Sequence, residues 1–272
     1  MAMYEGLAGI YDRLMSDVPY GDWADLVERL ISEYGISERV KEGAGTPHSA
    51  AGETDALLAE ERNLIVELGC GTGIFTGLLS ERGFDVTGID RSPDMLAAAQ
   101  RKNAAKGYSI PYLCQDMRSL DLYCTAGTFL SICDSINYLT TCRDLHRCFA
   151  GVRKFMYPGG VFIFDFHTKH YYRDVLGTRV ITETDEDLSY IWDNVWNERR
   201  SMNRYELTVF AERPDGAYDR LDETHVQRGY TLSEIKKELS RAGLTCLCAL
   251  DGRTQTDAHS KSERIFVAAG RS

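Results

Sequence analysis

The chain has 272 residues, about 1.8 times a ~150-residue domain, which suits one elaborated α/β domain or a core with a small insertion and argues against a third independent domain. With 43% hydrophobic and 26% charged residues the composition is that of an ordinary globule, which excludes collagen-like, low-complexity and wholly disordered chains. Thirty-one Lys and Arg against 41 Asp and Glu leave a net charge of -10, a poor match to phosphate backbones or anionic membranes.

Leu7, Ile10, Tyr11 and Leu14 describe a short helix. Trp23, Leu26, Val27, Leu30, Ile31 and Tyr34 describe a longer amphipathic one with its stop at Gly35. Together they predict an N-terminal helical cap over 1–40. The stretch 41–54 is rich in Gly, Ala, Ser and Thr without periodicity and predicts a flexible loop and lead-in over 41–60. Short apolar runs at 64–68, 84–89, 110–114, 128–133 and 160–166 then alternate with helical patterns, the signature of parallel crossover units in a doubly wound sheet. Thr231 and Glu234 form a capping box opening a helix that stops at Gly243, and runs at 244–250 and 264–270 supply the last two strands. The core is therefore seven-stranded and mainly parallel, spanning 61–166 and 231–272.

Between 167 and 230 the period changes to two. Tyr190, Trp192, Asn194 and Trp196 alternate with Ile191, Asp193, Val195 and Asn197, a second such run spans Tyr205 to Glu212, and Pro214-Asp215-Gly216 supplies a turn. This is an antiparallel β insertion after the fifth strand, too small for its own core and expected to pack over the main sheet as a substrate lid.

No basic leader precedes Glu5, Asp12 and Arg13, and no apolar run approaches ~18 residues, so neither a secretory signal nor a membrane span is expected. The eight cysteines lie in apolar segments and include no C-x-x-C pair, so they read as reduced core residues of a cytoplasmic protein, with no metal site expected.

The strongest chemical signal is Val66-Glu67-Leu68-Gly69-Cys70-Gly71-Thr72-Gly73, a strand entering a glycine-rich turn. Its spacing is G-x-G-x-G rather than the dinucleotide G-x-G-x-x-G, and G-K-[ST] is absent, so neither a pyrophosphate site nor the common NTPase loop fits. Three spaced glycines alone also suit a ligand-free turn. Two acids tip the balance. Asp90 ends the second strand, where a carboxylate can accept from a ribose diol, and Asp116 with Met117 follows the third, within reach of an adenine edge. Acids at successive strand ends of an open α/β sheet favour a nucleoside site.

With VELGCGTG (66–73), GIDRSPDML (88–96), QDM (115–117), CDSINYL (133–139) and YPGGVFIFDF (157–166) in this order, the chain resembles the class I S-adenosylmethionine (SAM)-dependent methyltransferases. Tyr11 to Met15 with Tyr20 and Trp23, and His225 to Tyr230, look like a bacterial small-molecule branch related to the aminosugar N-methyltransferases. The resemblance implies a Rossmann-like fold with SAM as cofactor and S-adenosylhomocysteine (SAH) as product. It implies Glu67, Gly69, Cys70 and Gly71 along the methionine part, Asp90 on the ribose, Arg91 and Met95 beside the adenine, and Asp116 with Met117 on its edge. Cys133 and Asp134 then border the sulfonium and the acceptor, with Tyr11, Tyr20 and Trp23 contributed by the cap.

An in-line methyl transfer from an activated cation needs no protein nucleophile, and a base only where the acceptor must lose a proton. Candidates for that base are Asp134, His167 and His225. The expected function is transfer to a small-molecule N or O acceptor. The alternatives are a non-catalytic SAM/SAH-binding module and, less favoured, a nucleic-acid or protein methyltransferase. After the fourth strand the chain reads Cys133-Asp134-Ser135-Ile136, without the Asp/Asn-Pro-Pro-Tyr of amino-methylating DNA enzymes, and no Lys/Arg stripe with interleaved aromatics is present. Whether the protein forms a homodimer is open.

Overall fold

The computed structural model describes residues 10–40 and 50–271. In chain order its elements are α1 (Tyr11–Leu14), α2 (Tyr20–Tyr34), α3 (Ala50–Asn63), β1 (Ile65–Leu68), α4 (Ile74–Glu81), β2 (Val86–Asp90), α5 (Pro93–Lys106), β3 (Tyr112–Cys114), β4 (Ala126–Ser131), α6 (Cys142–Phe155) and β5 (Met156–His167). There follow β6 (Arg179–Thr184), β7 (Leu188–Asn197), β8 (Met202–Glu212), β9 (Tyr218–Arg228), α7 (Leu232–Arg241), β10 (Leu244–Asp251) and β11 (Arg264–Arg271).

The main sheet has seven strands in the order β10-β11-β5-β4-β1-β2-β3, and β1 to β5 are parallel as the crossover pattern requires. The terminal strand β11 inserts antiparallel between β5 and β10. Both faces are covered, so side chains alternate between two apolar layers with period two. Phe162, Phe164 and Phe166 of β5 with Ile265 and Val267 of β11 pack beneath α6 and α7. Val161, Ile163 and Phe266 pack on the other face against Trp23, Leu26, Leu30 and Ile31 of α2. The Thr231–Glu234 capping box is formed in both directions.

The insertion folds as its own four-stranded antiparallel sheet, β6-β7-β8-β9. It was expected to rest on the main sheet. Instead its inner face buries Leu188 and Val209 with Leu207 and Leu221 around Ile10, Tyr11 and Leu14. So small a sheet cannot bury a face alone, and the N-terminal segment supplies the missing apolar layer. Arg13 pairs with Asp187 at the β6–β7 turn, while Asp12 bonds Thr72 of the glycine turn and pairs with Lys102 of α5.

Two local expectations change. Helix α3 occupies Ala50–Asn63, overlapping the segment read as loop and lead-in, because the Ala, Leu and Glu of its second half favour helix despite a weak apolar stripe. Its end packs so closely on β4 that a Cβ at Gly127 would collide with the Arg62 carbonyl. Leu7 and 41–49 lie outside the described residues. The eight cysteines are all free, but only Cys70 and Cys148 are buried and Cys114 is exposed on the edge strand β3, so the reading of all eight as core residues fails.

Asn137 joins three parts of the fold. Fully buried, it donates through Nδ2 to the carbonyls of His167 (2.8 Å) and Arg228 (2.7 Å), and its Oδ1 accepts from the His167 N–H (2.9 Å). Asn137→Ala leaves three part-buried backbone groups without this partner and is expected to destabilise the protein by ~3 kcal/mol, read as a lower urea midpoint with unchanged m-value.

Candidate active site

The turn from β1 into α4 is shaped by three glycines with φ of +72° (Gly69), +54° (Gly71) and +71° (Gly73). At Gly69 a Cβ would lie 2.7 Å from Ser135 Oγ, and at Gly73 it would strike the Tyr112 hydroxyl. A Cβ built at Gly71 would meet nothing within 4 Å among the described residues, so that side of the turn faces open space. Beside it, Asp90 accepts from the Gly71 N–H through Oδ2 (2.9 Å) and the Ser92 N–H through Oδ1 (2.8 Å). Burial pushes this carboxyl up from the ordinary range, opposed by those two backbone N–H groups.

The opening below the turn is a cavity of about 340 Å³. Gly69, Gly71, Asp90, Arg91 and Met95 line it on one side, with Asp116 and Met117 at the β3 end, and Tyr11 and Leu14 of α1 close it from above. Asp116 is gripped by the Arg118 guanidinium through both oxygens, which holds its carboxyl below the usual range. Cys133 and Asp134, both at positive φ (64° and 50°), mark the middle. Beyond them the cavity turns aromatic, with Tyr138, Tyr171, Tyr172, Tyr190, Trp192 and Tyr205 around His167, His225, Gln227 and Arg264.

A smaller cavity of about 40 Å³ shares Tyr11, Gly69, Gly71 and Cys133 with the first and adds Tyr20, Glu67 and Cys70. Glu67 is 2% exposed and accepts from the Thr76 hydroxyl, and burial pushes it up to about 8. Trp23 lines neither cavity. It is buried against Phe266, with the Arg264 guanidinium 4.8 Å above its ring, and so shapes the floor from below.

The three candidate bases differ in surroundings. Asp134 accepts from Arg264 Nη2 through Oδ1 (2.9 Å) and from Gln227 Nε2 through Oδ2 (2.7 Å). His167 stacks on Tyr171 with ring centroids 3.9 Å apart, and its Nε2 lies 2.7 Å from Arg264 Nη2. A guanidinium only donates, so Nε2 accepts. Burial, then the Arg264 charge, push His167 down to about 3. His225 bonds the Tyr138 hydroxyl through Nδ1 (2.8 Å) and stacks on Tyr205 at 4.6 Å, and burial pushes it down to about 4. Both imidazoles are neutral near pH 7.

Sequence reasoning passed over Arg264, Gln227, Tyr138 and Tyr205. Arg264 opens the last strand and Gln227 lies two residues after His225, but only strand register shows which side chains face the cavity.

The fit to a nucleoside cofactor rests on these features: a backbone turn open at Gly71, a braced carboxylate at Asp90 for a diol, and the buried acid Glu67 in the side cavity. Among the described residues no group of three or more His, Cys, Asp or Glu could hold a metal ion, and no helix is long and apolar enough to cross a membrane.

Comparison with known proteins agrees with the geometry. Residues 65–160 match the family described as a methyltransferase domain. A Bacillus subtilis (strain 168) protein named as a methyltransferase is 32% identical over 99% of this chain and 98% of its own length. The crystal structure of an S-adenosylmethionine-dependent methyltransferase from Clostridium acetobutylicum ATCC 824 superposes with a TM-score of 0.81 at 26% identity, covering 98% of both chains. An amino pentose methyltransferase from Micromonospora echinaspora, solved with SAM bound, shares the fold at a TM-score of 0.60 and 20% identity, covering 85% of this chain and 93% of its own. With its glycine turn, its acids at successive strand ends and its full-length relatives, the chain belongs to the S-adenosylmethionine-dependent methyltransferases.

Proposed function

We propose that the protein methylates a nitrogen or oxygen of a small-molecule acceptor held beneath the β6–β9 sheet, which serves as the lid. The observation that carries this reading is the continuation of one cavity from the cofactor wall at Asp90 into the aromatic half beyond Asp134. SAM supplies a methyl group activated by its positively charged sulfur. The chain then has to place an acceptor in line at roughly 3 to 3.5 Å and exclude water.

Asp134 stands at the junction with each oxygen already fixed by one donor, so its remaining lone pairs can orient an acceptor N–H or O–H. Tyr138 joins Tyr205 (3.2 Å) and His225 in a polar chain along the wall. The rings opposite suit a planar or cationic acceptor, a cation-π contact contributing on the order of 0.5 to 2 kcal/mol.

Calorimetry with SAH followed by product detection with a panel of amines, sugars and hydroxy compounds tests the proposal. Transfer to a small acceptor supports it. Tight SAH binding with transfer only to a protein or nucleic acid, or to nothing, overturns it. Trp192, whose buried Nε1 has no hydrogen-bond partner among the described residues, lines the acceptor half. Trp192→Ala is expected to raise the acceptor KM about tenfold, from lost packing and a lost donor, with SAH affinity unchanged in calorimetry.

A further inference from the structure

The acceptor floor is built by strand register. His167 ends β5 and Arg264 begins β11, and the two are directly opposite in the antiparallel pair. Asp165 is two residues back on β5 and shares their face, diagonal to Arg264. Arg264 therefore meets three groups. Its Nη1 donates to Asp165, and its Nη2 donates both to Asp134 Oδ1 and to His167 Nε2. The Trp23 ring lies under the guanidinium. On the far side, His167 Nδ1 lies 3.4 Å from the Glu263 carbonyl, which can only accept.

These contacts allow one state of the imidazole. The carbonyl needs hydrogen on Nδ1 and the guanidinium needs a lone pair on Nε2. We propose that Arg264 is the positioning residue of the acceptor floor: its fork holds His167 as the neutral Nδ1–H tautomer and aims the Asp134 carboxylate into the cavity, leaving Asp134 rather than His167 to orient the acceptor. The reaction gains from this arrangement because the methyl donor is cationic. A protonated His167 beside it would add a second positive charge and neutralise the carboxylate that faces the acceptor.

The groups around His167 make Arg264 decisive. From β5 comes Asp165, which burial pushes up to about 6 against the pull of Arg264. From the turn after β4 comes Asp134, its Oδ1 3.8 Å from His167 Nε2, with Cys133 beside it near Arg264. From the segment after β5 come the rings of Tyr171 and Tyr172, with Arg179 and Glu263 acting on Tyr171 from further out. Without Arg264 the imidazole would keep the Asp134 carboxylate beside it and lose its adjacent cation, which shifts it towards its charged form against the burial.

The test is nitrogen-15 NMR of the six histidines in the full chain, free and saturated with SAH, with His167 assigned by its absence in His167→Asn. The unchanged protein is expected to show His167 unprotonated from about pH 5 to 8 with hydrogen on Nδ1. Arg264→Gln is expected to raise its midpoint by more than about 1 pH unit towards the ordinary ~6.5, with burial still opposing the charged form. Arg264→Lys keeps a charged donor without the fork, so His167 should stay neutral with hydrogen on Nδ1 while kcat falls through the loosened Asp134 carboxylate. In kinetics with an acceptor from the panel above, Arg264→Gln should lower kcat about 100-fold at pH 6 and recover part of it by pH 8.5, with SAH affinity within about twofold. A purely structural loss would not recover with pH.

The kinetic arm rests on the proposed small acceptor and the NMR arm does not, so failure of one reading is separable from failure of the other. His167 protonated above about pH 6 in the unchanged protein, or carrying hydrogen on Nε2, overturns the proposal whether or not the variants fold. An unaltered midpoint in Arg264→Gln, or a kcat in Arg264→Lys equal to that of the unchanged protein, overturns it as well.

Discussion

Asp90→Asn is expected to bind SAH about 100-fold more weakly than the unchanged protein. Both Asp90 oxygens accept from backbone N–H groups, of Gly71 and Ser92, and the residue lines the cavity where a ribose diol is proposed to sit. An asparagine can accept through one atom only. Its amide N–H must therefore oppose one of those backbone donors, and the charge that strengthens the diol contact is gone. Hydrogen bonds to charged groups contribute roughly 1.5 to 3 kcal/mol each, and ~2.7 kcal/mol corresponds to a hundredfold change in Kd. Calorimetry with SAH measures it directly. A loss below about fivefold, in a variant whose circular dichroism matches the unchanged protein, would remove Asp90 from the cofactor contact.

The second large effect is a pH dependence set by Glu67. Burial, and more weakly the negative Asp90, raise this carboxyl from 4.5 to about 8, while the Thr76 hydroxyl pulls it partly back. The folded free protein therefore holds a proton that the unfolded chain releases near pH 4.5. Stability of the free protein should fall as pH rises from about 4.5 to 8, and Glu67→Gln should flatten that fall. The small cavity next to Glu67 is where the amino-acid end of the cofactor is proposed to lie. An ammonium there favours the ionised carboxylate and displaces the proton, so SAH should bind tighter as pH rises towards 8, by at least about tenfold from pH 6.5. Calorimetry in buffers of different ionisation enthalpy should show proton release that vanishes in Glu67→Gln. An affinity independent of pH across that window would sink the assignment.

The turn and strand-end acids where the cofactor is proposed to bind are legible because they are local signals. The glycines of the β1–α4 turn, the acid ending β2, and the Ser92 cap that accepts from the Met95 N–H all follow from residue type and spacing within a few positions. The parallel core was legible for the same reason, through alternating strand and helix periods and the Thr231 capping box. What was misread depends on contacts distant in sequence. The partner of the insertion is α1, more than 170 positions earlier, because an apolar stripe does not name the surface that will cover it. Trp23 has the spacing of an inward helix residue, and the structure puts it under Arg264 rather than on a cavity wall.

Composition, period and turn chemistry by themselves determined the seven-stranded α/β core, the antiparallel insertion and the glycine turn proposed to hold the nucleoside, since each depends on short-range preferences repeated along the chain. Only the tertiary structure decided the acceptor floor. Residues 134, 165, 167, 227 and 264 meet through the register of β5 with β11 and the return of β9, and a one-residue slip would turn Arg264 to the opposite face. The proposed tautomer of His167 depends on that register too, because it sets the Arg264 guanidinium, which only donates, against Nε2.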